Sequence, residues 1–166
     1  MIYRVLRVIA GVDGSPGSLH ALRRAVELAR VFDAPLLPVL AWQPPGGEVA
    51  VVSGRLPEAD REWVRLADRR LWAAFEEGLG TLPADLRCEP RTVRGPTGRV
   101  LVWVADHPDD LLVVGTGRRG AFGRALHSRT AGYCLAHARC TVVAVPPPPL
   151  AELRRRDRRA RHLSVL

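Results

Sequence analysis

The stretch LLVVGTGRRGAFGRALHS, residues 111–128, opens as an aliphatic run of strand character and breaks at Gly115 into a turn rich in glycine and arginine. Gly115, Gly117 and Gly120 spell G-x-G-x-x-G, a pattern that cradles phosphate in several unrelated loops. A dinucleotide fingerprint sets these glycines in the first strand-to-helix turn, opens a helix at the third, and adds an acidic residue about 20 positions on. Here the run follows the fourth strand, Gly123 interrupts an early helix, and no Asp or Glu occurs between Asp110 and Glu152. The dinucleotide reading fails. A Walker loop fails too, since it sets a lysine against the phosphates and this chain has none.

The segments on either side place the turn in a fold. Residues 3–12 are aliphatic and β-branched and stop at Asp13-Gly14, a turn signal. Ser15 and Pro16 then supply an N-cap and a first-turn proline, and Leu19, Leu22, Ala25, Val26 and Ala29 recur at helical spacing as far as Val31. A second strand is expected over 35–42, and a second helix over 58–79 with Trp63, Ala67, Leu71, Ala74 and Phe75 on one face. Residues 86–95 alternate weakly and end at Gly95-Pro96. A third helix through Val100, Leu101, Val104 and Ala105 follows, ending near His107-Pro108. After the strand at 111–115, a last helix is expected over 129–138 and a fifth strand over 141–146, closed by prolines 146–149. Strands alternate with helices and the inner strands are apolar throughout, which predicts an α/β fold with a parallel, doubly wound sheet covered on both faces. Ligands of such sheets bind beyond the carboxyl ends of the strands where the winding reverses, so Asp13 and Gly115 are the positions of interest.

With 166 residues, 47% of them hydrophobic, the chain is expected to form one domain with a substantial core. No apolar run approaches the roughly 20 residues of a membrane span, and no signal-peptide cleavage pattern follows the first residues, so a cytoplasmic protein without membrane contact is expected. Cys88, Cys134 and Cys140 are odd in number and lack a C-x-x-C pair, which points to reduced thiols. All 25 basic residues are arginine and the net charge is +8. Six of the arginines face only Glu152 and Asp157 in the last stretch, leaving a net +4 there. The organisation expected is a domain over 1–148 and a Pro/Arg-rich tail over 149–166 that offers itself to an anionic partner.

VIAGVDGSPGSLHALRRAVELA, LLVVGTGRRGAFGRALHS and YCLAHARCTVVAVP together resemble the universal stress proteins, over residues 5–146. The resemblance implies a five-stranded, Rossmann-like three-layer sandwich of strand order 3-2-1-4-5, a homodimer paired through the fifth strand (141–146), and in some members an ATP site. Nucleotide-binding members are similar to G-x-x-G, nine residues, then Gly followed by Ser or Thr, after the fourth strand. Aligned from Gly115, that pattern meets Arg118 at the second glycine, Ser128 at the third and Arg129 at the hydroxyl position. A frame shifted to Gly117 and Gly120 meets Thr130 and Ala131 instead. The cradle is read as decayed. Val12 and Asp13, at the end of strand one, and Val39, at the strand-two position whose backbone meets adenine, match the binding members, so half of a nucleotide site remains.

Each of these residues has a plainer reading. Asp13 either meets ribose or stabilises its own turn. Arg118, Arg119, Arg124 and Arg129 either form an anion-binding rim or are solvated. Cys134, His137 and Cys140 fall three apart, but zinc sites close with four ligands, so buried cysteine and no metal are expected. Ser15 is an N-cap and not a nucleophile, and Trp63, Trp72 and Phe75 belong to core or dimer surface. With no catalytic constellation in sight, the expectation is a non-catalytic stress-response binding or signalling module. It binds ATP weakly or not at all, or takes another phosphorylated ligand. An ATP-binding member with slow hydrolysis and a nucleic-acid-associated protein acting through the basic tail are the alternatives.

Overall fold

The computed structural model describes residues 4–44, 57–117 and 124–147, with side chains throughout except at 57–60 and 124–129. The elements run β1 (Arg7–Gly11), α1 (Pro16–Phe32), β2 (Leu36–Trp42), α2 (Pro57–Leu79), β3 (Arg91–Arg94), α3 (Thr97–Val104), β4 (Asp110–Gly115), α4 (Arg124–His137) and β5 (Thr141–Val145). Among the described residues the sheet has five strands in the order β3-β2-β1-β4-β5, all parallel. The order expected from the family resemblance is the order observed. Residues 148–166 lie outside the described residues, and with them the boundary and the basic tail. No helix of the described residues is long and apolar enough to cross a membrane.

Alternation along each strand divides the core into two layers. Val8, Ala10, Leu111 and Val113 face α1 and α2, where Leu22, Ala25, Leu71 and Phe75 close over them. Ile9, Leu37, Val39, Leu112 and Val114 face the other way, against Leu101 and Val104 of α3 and Ala131 and Cys134 of α4. A strand buried on both faces carries no polar alternation, which is why β1 and β4 read as continuous apolar runs. At the amino ends of these strands Arg7 forks onto Asp110, with Nε–Oδ1 at 2.9 Å and Nη2–Oδ2 at 2.6 Å.

Several boundaries differ from the sequence reading. The first strand begins at Arg7, although Val5 already packs into the core. The third strand is short for a covalent reason. Leu36 donates to the Arg87 carbonyl and accepts from the Glu89 amide, so Pro38, two residues on, would also address this neighbour. Pro38 has no N–H, and pairing lapses after the Leu36–Cys88 bridge until Val39 meets Arg91. The last helix starts at Arg124, five residues earlier than expected and directly after Gly123. Ser128 and Arg129 therefore lie inside a helix and not in the turn before it.

Candidate functional site

The winding reverses between β1 and β4, so their carboxyl ends form the crevice a ligand would use. On the β1 side, the Val12 amide donates to the Val39 carbonyl at 2.9 Å, tying the ends of the first two strands together. Val12 and Val39 are both buried. Asp13 is exposed, and its Oδ1 accepts the Ser15 amide at 2.9 Å across Gly14, whose φ of +81° closes the turn. The Asp13 amide in turn donates to Ser18 Oγ at 3.2 Å. Ser15 caps α1 through the Ser18 amide, also at 3.2 Å, as the sequence predicts. The turn role of Asp13 is thus filled, with its carboxylate at the crevice mouth.

On the β4 side, Gly115 lies against the first turn of α1. A Cβ there would stand 2.8 Å from the Gly17 carbonyl oxygen and 3.2 Å from the Ser18 nitrogen. The Thr116 amide donates to the Val145 carbonyl at 2.9 Å and so belongs to the sheet. Gly117 turns left-handed, at φ +77°, and its amide nitrogen is 3.7 Å from where a Cβ on Gly17 would be. The floor of the crevice is therefore bare backbone from two elements in contact.

The remaining predicted positions divide. Arg118 and Arg119 lie outside the described residues. Ser128 and Arg129 fall in the second turn of α4, where an amide bonds the carbonyl four residues back. Thr130 is half-buried and Ala131 is in the core, which removes the shifted frame's last position from any ligand. Cys134 is fully buried, and burial pushes its thiol up to about 11. The His137 ring stacks on Tyr133 with centroids 4.1 Å apart. Among the described residues, no three His, Cys, Asp or Glu side chains are grouped to hold a metal. Phe75 is core, Trp63 is half-buried, and Trp72 is half-exposed against Phe75 at 5.8 Å. Sequence reading missed a groove beyond β2 and β3, lined by Trp42, Arg61, Val64, Arg65 and Arg94. Its members lie up to 52 positions apart and meet only because Trp42 pairs with Arg94 in the sheet.

Residues 5–146 match the universal stress protein family. The chain belongs to that family. No curated protein matches it. Among solved structures, a universal stress protein in complex with cAMP is 26% identical, with a TM-score of 0.54, over 87% of this chain and 99% of that one. Universal stress protein UspA from Lactobacillus plantarum is 20% identical at a TM-score of 0.60, over 86% of this chain and 98% of its own. A universal stress protein family protein from Arabidopsis thaliana with AMP bound is 17% identical at a TM-score of 0.54, over 86% and 92%. The last two likenesses bear on the fold of this universal stress protein and no further.

Proposed function

We propose that this universal stress protein is a non-catalytic stress-response module that binds an adenine nucleotide bearing one phosphate, at the carboxyl ends of β1, β2 and β4, and binds ATP weakly or not at all. One observation carries the reading. The end of the crevice that the family resemblance assigns to base and ribose keeps Val12, Asp13 and Val39, whereas at the β4 end the Thr116 amide is bound to Val145 and Gly115 is held against Gly17. A triphosphate needs several converging donors. Arg118, Ser128 and Arg129 put side chains where binding relatives carry glycine and a hydroxyl. The cAMP bound to the 26%-identical universal stress protein named above supports a monophosphate ligand.

A second reading rests on the same arginines, since a guanidinium fork matches two phosphate oxygens and substitutes for lost amides. Converting Arg118→Gly, Ser128→Gly and Arg129→Ser together separates the two. ATP affinity rises if the cradle has decayed and falls if the arginines already hold phosphate. Asp13→Ala weakens AMP binding under either reading, and unchanged AMP binding in that variant contradicts both.

The protein acts as a homodimer through β5 in this proposal. β5 is the sheet edge, with Val142 and Val143 only half-buried and Ala144 exposed. Such an edge is paired or covered in stable proteins.

A further inference from the structure

The groove beyond β2 and β3 has a composition that its place in the fold does not require. Trp42 and Arg94 are the last residues of their strands and direct ladder partners, and the Gly95 amide donates to the Trp42 carbonyl at 2.8 Å. The Arg94 guanidinium carbon stands 5.8 Å from the indole centroid. From α2, Arg61, Val64 and Arg65 close the other wall, around a volume of about 520 Å³. Three guanidinium groups thus rim a floor of indole and valine, and among the described residues no carboxylate lines it. Glu62 on α2 is shared, 3.8 Å from Arg65 and 3.3 Å from Arg69. One carboxylate between Arg65 and Arg69 does not neutralise both.

We infer that this groove, lined by none of the residues assigned to the crevice between β1 and β4, binds the base and phosphate of single-stranded nucleic acid. A base presents a flat, sequence-independent face to an indole or a guanidinium plane, and stacking beside a positive rim is how unpaired strands are held. The arginines continue beyond the groove. Arg61, Arg65 and Arg69 recur every fourth residue on α2, a rise of about 6 Å per step, which successive phosphates of a flexible strand can follow. A lone mononucleotide would use only the first of these steps. The chain's net charge of +8 favours a polyanion by the same logic.

The test is fluorescence anisotropy of a labelled oligothymidylate with the full chain across a salt series, with unlabelled AMP as competitor in a second arm. Trp42→Ala weakens binding about tenfold, within the range for loss of one stacked base. Trp42→Phe, which keeps a ring, retains most of it. Arg61→Ala with Arg65→Ala lowers the log–log salt slope by about 1.4, two phosphate contacts' worth. That pair decides the matter if Trp42→Ala fails to fold, because both arginines are exposed. Trp72→Ala, on α2 but outside the groove, changes nothing. Binding indifferent to the groove variants and lost on truncation after Pro149 overturns the proposal in favour of the tail. Displacement by AMP at its own dissociation constant, abolished by Trp42→Ala, overturns it in favour of a mononucleotide site.

Discussion

Gly115 at the end of β4 touches Gly17 in the first turn of α1 so closely that a Cβ on Gly115 would stand 2.8 Å from the Gly17 carbonyl oxygen. The two glycines look alike in the sequence and differ in what they do. Gly115 keeps the helix down on the strand end, and its partner is backbone that cannot rotate away. The Gly17 position is roomier, with 3.7 Å to its nearest neighbour outside the helix. Gly115→Ala should therefore cost about 1–3 kcal/mol, as overpacking does. Gly17→Ala should be neutral or stabilise by up to about 1 kcal/mol. Urea denaturation distinguishes them, and equal costs contradict this division of labour.

Arg7 and Asp110 are a second pair on which the sheet depends. Asp110 is fully buried and also accepts the His107 amide at 3.2 Å, while Arg7 keeps 31% of its side chain exposed and reaches Asp106 as well. Arg7→Ala leaves a buried carboxylate without its cation and is expected to cost about 3 kcal/mol, the low end for such pairs because Arg7 is partly solvated. Asp110→Asn keeps an acceptor for His107 and removes the buried charge, so it should cost less than Arg7→Ala. The reverse order in thermal or urea unfolding would show that the pair is held by something other than charge.

Buried thiols should weaken the fold at alkaline pH. Burial pushes Cys88 and Cys134 up to about 11, above the roughly 8.5 of an unfolded thiol. A raised folded pKa means that the stabilisation is complete below the unfolded value and is lost as pH climbs through the folded one. Unfolding free energy should hold level up to about pH 8.5 and fall toward pH 11. Cys88→Ala with Cys134→Ala should flatten that fall. At pH 8, Cys134 should react with a thiol reagent only after denaturation; reaction in the native protein contradicts its burial.

The parity of the β5 ladder gives a clean test of the proposed dimer. The Thr116 amide donates to Val145 and Val113 pairs with Val143, so Val143 and Val145 turn their backbone groups toward β4, and Val142 and Ala144 turn theirs outward. Ala144→Pro removes an outward donor and should give folded monomers by light scattering with unchanged circular dichroism. Val143→Pro breaks the β4–β5 ladder and should unfold the edge. A wild-type chain that is monomeric at micromolar concentration sinks the dimer.

The central elements were legible because local and tertiary signals agree in them. Asp13-Gly14, the Ser15 cap and Pro16 announce the β1–α1 turn, and continuous apolar runs announce strands buried on both faces. β3 was blurred because its length is set by Pro38 on another strand, which no reading of residues 86–95 alone contains. Gly115 was legible as a glycine that matters, but its reason, contact with Gly17, is tertiary. The Trp42 groove was invisible because residues 42, 61–65 and 94 share no local pattern and become neighbours only through the β2–β3 register.

Which nucleotide the crevice accepts is measured directly by side-by-side calorimetry of AMP, cyclic AMP and ATP on the unmodified chain. The proposed half-site of Val12, Asp13 and Val39, with the amide of Thr116 already engaged, predicts saturable heats for AMP or cyclic AMP and an ATP affinity at least about tenfold weaker, the loss of one charge-assisted donor. ATP binding in the low micromolar range, as tight as that of AMP or tighter, would contradict it.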